Sequence, residues 1–178
     1  YLYKWIGFQA KNSEEAQITG LEFSFSSEGE IKEVELRSLI GYTYMNPVSL
    51  NKNPDYLVTM SDTASGILKY RFNHLLRVDV EAGYKNFSLG VSSRYNSFMK
   101  NIDAIFEENI SGTEILPGLK EYRANDQSGS LVFDSRISYE LKEQYTFAFI
   151  VNNLLNTEYS SRPADVQAPR QFMVQVRY

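Results

Sequence analysis

The chain has 178 residues, 18 Lys+Arg against 22 Asp+Glu and a formal net charge of -4, which is long enough for one domain with a sizeable core. An isoelectric point near 5.1 with no basic run excludes a nucleic-acid partner, whose phosphates need a clustered positive surface. Zero Cys and one His exclude a disulfide framework, a thiolate metal site and zinc, and the longest apolar run, Phe147 to Val151, is far short of the roughly 20 residues of a membrane-spanning helix.

With 13 Tyr and 11 Phe against 5 Pro, the composition favours strands, and a period-two alternation of apolar and polar residues recurs along the chain. The opening Tyr1-Leu2-Tyr3-Lys4-Trp5 has neither initiator Met nor charged leader and reads like the middle of a strand over Tyr1 to Gln9, which predicts a mature form or a fragment. A second strand is expected over Gln17 to Ser26, with Leu21, Phe23 and Phe25 opposite Glu22, Ser24 and Ser26. A third runs from Glu33 to Tyr44, and a fourth from Leu68 to Lys85, where only His74 and Leu75 break the alternation. The pattern is clearest in Phe87 to Asn96, where Phe87, Leu89, Val91 and Tyr95 alternate with Ser88, Gly90, Ser92, Arg94 and Asn96. Ser130 to Leu141, Tyr145 to Leu155 and Arg170 to Tyr178 complete eight strands. No stretch of helical length carries an apolar stripe at 3.6-residue spacing.

Connections alternate in length. A short hinge near Glu28 to Lys32, a two-residue turn at Lys85-Asn86 and a short link at Lys142 to Gln144 contrast with long loops from Asn46 to Gly66, Lys100 to Gly129 and Thr157 to Ala168. Short turns at one end and long loops at the other are the pattern of an up-and-down outer-membrane barrel. Aromatic residues favour the same fold: Tyr84, Phe87, Tyr139, Tyr145 and Tyr178 fall beside short turns or the chain end, and Tyr42, Tyr44, Tyr70 and Tyr95 toward the long loops. Tyr suits both interfaces because its ring prefers the apolar side while its hydroxyl keeps a wet partner. The expected fold is therefore all-β, a transmembrane antiparallel up-and-down β-barrel with apolar side chains toward lipid. A soluble sandwich, with the same side chains in a core, is the alternative reading of the alternation.

At the carboxyl end the residues become more specific. Asn152-Asn153-Leu154-Leu155-Asn156-Thr157-Glu158-Tyr159, then Arg162-Pro163, then Pro169-Arg170-Gln171-Phe172 and the terminal Tyr178 resemble the closing hairpin of TonB-dependent outer-membrane receptors. Gly20-Leu21-Glu22 and Gly41-Tyr42-Thr43-Tyr44 resemble preceding barrel strands of that family. The resemblance implies that residues 1–178 are the carboxyl-terminal portion of one outer-membrane barrel domain, the last eight strands of 22, without the plug domain. It implies a transporter that imports a large scarce ligand, of siderophore-iron or cobalamin type rather than polysaccharide. The implied partners are outer-membrane lipid, the barrel assembly machinery, the amino-terminal barrel and plug, and TonB through that plug. A complete small eight-stranded barrel with a structural or adhesive role and a soluble sandwich that binds carbohydrate are the other readings.

Two groups of residues stand out. Phe172, Val174, Val176 and Tyr178 share one face of the last strand, and the terminal aromatic resembles an assembly signal; Tyr178 is equally suited to an interfacial girdle. Arg37, Arg71, Arg77, Asp79, Glu81, Arg94, Asp134, Arg136 and Glu140 fall on the polar side of several strands and are expected to face the barrel lumen, where mixed signs favour mutual pairing. Gly20 and Gly41 are expected to ease curvature or close backbone approach. No nucleophile elbow accompanies the plentiful Ser and Asp, so no enzyme and no cofactor are expected. His74 is expected at a membrane interface. The acidic loop residues Asp103, Glu107, Glu108, Glu114, Glu121 and Asp126 have the chemistry of a hard-cation site but read first as solvated charge. Tyr56, Tyr122 and Tyr159 are loop aromatics suited either to an external ligand surface or to packing of the loops.

Overall fold

The computed structural model describes residues 15–178 apart from 111 and 143, together with the backbone alone of residues 2–3 and 7–8. Two short strands, β1 (Leu2–Tyr3) and β2 (Gly7–Phe8), pair with each other. They are followed by β3 (Ala16–Ile31), β4 (Val34–Ser49), a single helical turn α1 (Pro54–Leu57), β5 (His74–Tyr84) and β6 (Phe87–Asn96). A long segment then carries the two-residue strands β7 (Asn109–Ile110) and β8 (Thr113–Glu114) and helix α2 (Leu119–Asn125). The chain ends in β9 (Ser130–Leu141), β10 (Tyr145–Asn152) and β11 (Gln171–Arg177).

Seven of these strands form one antiparallel sheet in the order β3-β4-β5-β6-β9-β10-β11, each beside its sequence neighbour among the sheet strands. Sharp reversals make the short ends. Each of the three short turns begins with a Lys in the left-handed region, Lys32 at φ 59, Lys85 at φ 54 and Lys142 at φ 54, the backbone sign that tight hairpins between right-twisted strands demand. β3 and β4 run further than the alternation suggested because their pairing extends unbroken from Ile31↔Val34 to Ala16↔Ser49.

Three strand expectations change. The strand expected over Tyr1 to Gln9 does not join the sheet where it is described: Leu2 pairs with Phe8, and residues 1, 4–6 and 9 lie outside the described residues. The main sheet thus has seven strands rather than eight, and β3 and β11 are open edges, so the sheet does not close on itself among the described residues. The strand expected from Leu68 begins only at His74, because Tyr70 takes a left-handed φ of 61 and Leu68 and Asn73 turn into a buried loop cluster.

Alternation and register sort every sheet residue onto one of two faces. The apolar face carries rows such as Phe25↔Ile40↔Val78↔Ser93↔Phe133 and Leu36↔Ala82↔Leu89↔Ile137↔Phe149↔Val174. No described element covers it: Leu89 is 51% exposed, Val91 40% and Val174 77%, while Phe133 is half-buried. Most of the small buried core lies in the long segments beyond one end of the sheet, with Tyr56, Met60, Ile67, Met99 and Ile102, while Val132, Ala148 and Val151 are the buried apolar residues of β9 and β10 themselves. A soluble sandwich would put its core against the sheet.

Aromatic rows bound the apolar face. At the short-turn end Tyr84↔Phe87↔Tyr139 form one row; the Phe87 and Tyr139 rings lie 4.7 Å apart and the Tyr145 and Tyr178 rings 5.1 Å apart. At the other end Tyr42, Leu76 and Tyr95 share a row, the Tyr42 hydroxyl is 2.8 Å from His74 Nδ1, and the Tyr44 and His74 rings are 5.2 Å apart. Tyr70, expected in this row, sits instead in the loop cluster. The rows stand eight positions apart on β6, Phe87 to Tyr95, or about 26 Å along a strand at ~3.3 Å per residue.

Candidate functional site

The polar face opposite is organised by register. Glu28↔Arg37↔Glu81↔Gly90↔Arg136 form a single row across β3, β4, β5, β6 and β9. Signs alternate along it, so neighbours pair: Arg37 Nε donates to Glu28 at 3.0 Å and lies 3.9 Å from Glu81, and Arg136 donates to the other oxygen of Glu81. Arg136 reaches Glu81 across β6 over Gly90, where a Cβ would make ordinary contact with the Glu81 carboxylate at 3.6 Å. One row toward the long loops, Asp79 and Asp134 flank Ser92, and Arg77 and Arg94 pair with them at 3.1 and 3.2 Å.

Of the residues singled out on the polar side, the structure thus brings together Arg37, Arg77, Asp79, Glu81, Arg94, Asp134 and Arg136. Glu140 stands on the same side at the short-turn end of β9, where its carbonyl accepts from Asn86 at 2.9 Å. Arg71 does not join them, since it lies ahead of β5, exposed, in the stretch displaced with Tyr70. Phe172, Val174 and Val176 share the apolar face of β11 and lie exposed on it, and Tyr178 follows directly after the strand.

The Asn-rich motif after β10 has a local physical basis. Asn153 is buried with φ 52; its amide group donates to the Thr157 carbonyl at 2.8 Å and the Ala168 carbonyl at 3.3 Å, and its side-chain oxygen accepts from Thr157 N at 2.8 Å. Its backbone N–H donates to Asp134 at 2.8 Å, so Asp134 serves both Arg94 and the turn. Asn156, at φ 54, accepts from Arg170 N at 2.9 Å and closes the loop base. Left-handed backbone and buried amides suit Asn better than any residue but Gly at such corners.

At the long-loop end the segments leave a cavity of about 450 Å³. One wall is made by Phe98, Leu119 and Tyr122 of the segment after β6, and the other by Tyr159 and Arg162 of the segment after β10. Tyr122 and Tyr159 therefore share one cavity. Tyr56 is 6% exposed and belongs to the loop core instead. Arg123 lies over the Phe98 ring at 4.6 Å while it pairs with Glu107 and donates to the Met99 carbonyl at 2.9 Å. The acidic loop residues are drawn apart: Asp103 goes to Lys69, Glu107 to Arg123, Glu114 to the Gly118 N–H and Asp126 to Ser128. Among the described residues no three His, Asp or Glu are placed to hold a metal ion.

Sequence reading missed the buried set around Lys69, Asn101 and Asp103, because Lys69 lies more than 30 positions from the other two and the set follows no period. For Asn153 the signal was present in the quoted motif, but its geometry was not.

No family model matches the sequence. Solved structures that share its chain trace include these two. The ferric-catecholate import receptor Fiu from E. coli K12, in its closed form, matches with a TM-score of 0.63 and 19% identity over 90% of this chain and 20% of its own. The outer membrane transporter YddB from Escherichia coli matches with a TM-score of 0.60 and 11% identity over 90% of this chain and 25% of its own. The chain thus spans about a fifth to a quarter of the length of the proteins it matches. At these identities the likeness speaks for the fold, and it agrees with the resemblance carried by the closing motif: the chain has the fold of part of an outer-membrane transporter barrel.

Proposed function

We propose that this chain is the carboxyl-terminal wall of a TonB-dependent outer-membrane transporter, residues 1–178 belonging to one barrel domain whose plug and remaining strands lie elsewhere in the protein. The observation that carries the reading is the uncovered apolar face bounded by two aromatic rows, backed by a polar face whose charges pair in register. Backbone groups in hydrocarbon must be paired, so the open edges β3 and β11 require further strands of the same barrel, 22 in all on the family pattern. The row from Glu28 to Arg136 then lines the lumen, where it meets the plug, and TonB acts on the protein through that plug. Phe172, Val174, Val176 and Tyr178 present the terminal strand to the barrel assembly machinery.

The ligand is captured at the long-loop end, in the cavity between Phe98 and Tyr122 on one side and Tyr159 and Arg162 on the other. Stacking surfaces with a cation suit a large ligand bearing anionic or aromatic groups. The neighbour Fiu is a ferric-catecholate import receptor, so a ferric catecholate is the first compound to test, ahead of a cobalamin.

Topology tests the reading directly, because residues 1–178 have no Cys and any Cys elsewhere in the full-length protein can be replaced by Ser first. In cells that express the full-length protein, Tyr122→Cys is expected to react with a bulky membrane-impermeant maleimide from outside, and Asn86→Cys only after the outer membrane is opened. Equal labelling of both in intact cells contradicts it. A fall in ferric-catecholate uptake of about tenfold in the Tyr122→Ala, Tyr159→Ala double variant, at unchanged surface level, would place capture in this cavity.

A further inference from the structure

The long segments 50–73 and 97–129 do not behave as separate loops. Ser61 N donates to the Ile102 carbonyl at 3.0 Å, Ala104 N to the Thr59 carbonyl at 2.9 Å and Tyr70 N to the Asn101 carbonyl at 2.9 Å, with an antiparallel bridge between Met60 and Asp103. Asn101 and Ile102 are fully buried. The Asn101 amide donates to the Asp62 carbonyl at 3.1 Å and the Ile67 carbonyl at 2.6 Å, and its oxygen accepts from Asp62 N at 3.2 Å.

At the centre of this contact stands one carboxylate. Asp103, 7% exposed, accepts from Lys69 on one oxygen and from the Tyr70 hydroxyl on the other. Lys69 also donates to Thr59 Oγ1 at 2.9 Å and lies 5.4 Å from the Tyr56 ring centre. Neighbouring side chains on an extended chain point to opposite sides. Lys69 and Tyr70 nonetheless converge on a single residue, and the left-handed backbone of Tyr70, at φ 61, is what turns them together. A Tyr in that region is strained and persists only where its surroundings over-determine it. Burial, reinforced by the hydrogen bond to Asp103, holds the Tyr70 phenol far above its usual range, so it remains a donor at any physiological pH. The segment 153–170 is built differently: its hydrogen bonds run within itself and to strand β9, through Asn153 with Asp134 and Thr157 with the Leu131 carbonyl.

We propose that Asp103 is a latch that joins segments 50–73 and 97–129 into one lid, so that the two open and close together, while segment 153–170, the opposite wall of the cavity, does not move with them. Among the described residues that segment meets the latch only through the charge of Arg162 near Tyr70. A displacement at Phe98 or Tyr122 in the cavity wall would then be carried through Asp103 to Lys69 and to the whole of the segment between β4 and β5. The proposal stands on the geometry of the latch and does not depend on which ligand the cavity takes.

Hydrogen–deuterium exchange on the full-length protein in detergent micelles tests it. In Asp103→Ala, the amides of Ser61, Tyr70 and Ala104 are expected to exchange at least tenfold faster, in both segments at once, with β5, β6, β9 and residues 153–170 unchanged. Tyr70→Phe keeps the ring and removes only the hydroxyl, so acceleration there of several-fold in both segments marks a latch rather than simple packing. Lys69→Met with Asp103→Leu should restore more protection than Asp103→Leu alone, because the pair is then removed together rather than left half made. Loosening confined to 97–129, equal loosening of 153–170, or unchanged exchange in Tyr70→Phe would each overturn the proposal.

Discussion

Gly20 and Gly41 show how similar residues in neighbouring strands come to carry different weight. A Cβ at position 20 would lie 2.3 Å from the Tyr44 carbonyl oxygen, an overlap that only a backbone shift relieves, whereas nothing lies within 4 Å of a Cβ at position 41. Gly20→Ala is therefore expected to disturb the β3–β4 pairing, and Gly41→Ala to leave assembly intact; folded yield in outer membranes, read from heat-modifiable migration on gels, checks both. Asn153 supplies the complementary case. Ala in its place keeps the left-handed backbone strained and deprives the Thr157 and Ala168 groups of buried partners, a loss of about 2–4 kcal/mol by the usual cost of unmade buried hydrogen bonds and strain. Asn153→Gly relieves only the backbone part, so its unfolding midpoint should fall between that of the parent and Asn153→Ala. At the chain end, deletion of Tyr178 should lower the yield of assembled protein in cells several-fold if that ring serves assembly. An unchanged yield would leave it the girdle contact with Tyr145 alone.

Among the elements, charge has two different uses. The polar-face row is open to solvent in this chain, with Arg37 and Glu28 side chains 56% and 73% exposed, whereas Lys69 and Asp103 are 12% and 10% exposed. Exposed pairs, screened by solvent, add little to stability, while removal of one partner of a buried pair costs roughly 3–5 kcal/mol. Glu28→Gln should thus barely alter thermal unfolding, and Lys69→Met should lower the transition of the lid clearly. Strands β5, β6, β9 and β10 were legible in the sequence because side-chain direction alternates locally, so each residue reports its own face. The same locality explains what was not legible. Leu68 to Asn73 keeps the alternation of a strand, yet the distant Asp103 and Asn101 claim Lys69, Tyr70 and the Ile67 carbonyl and bend the chain away. The alternation placed most of the polar-face residues on one side, Arg71 apart, but their order into one alternating row depends on register, as does the bridge from Arg136 across Gly90 to Glu81.

For the molecule as a whole, the question is which solvent meets each side of the sheet. The aromatic rows stand about 26 Å apart along the strands, or about 20 Å across a bilayer after a tilt of ~40°, and the rings themselves extend that span toward the ~25 Å apolar band of outer-membrane barrels. Val91 lies midway between the rows and points to the apolar side; Ser92, its neighbour, lies between Asp79 and Asp134 on the polar side. The decisive measurement is the folding free energy of Val91→Arg and Ser92→Arg in the full-length protein, titrated with denaturant in lipid bilayers. Arg at position 91 should cost roughly 2–4 kcal/mol, the penalty of a cation at the bilayer midplane, and Arg at position 92, flanked by two carboxylates, less than about 1 kcal/mol. Equal costs at the two positions, or a protein that stays monomeric and dissolved without detergent, would contradict the assignment of the apolar face to lipid.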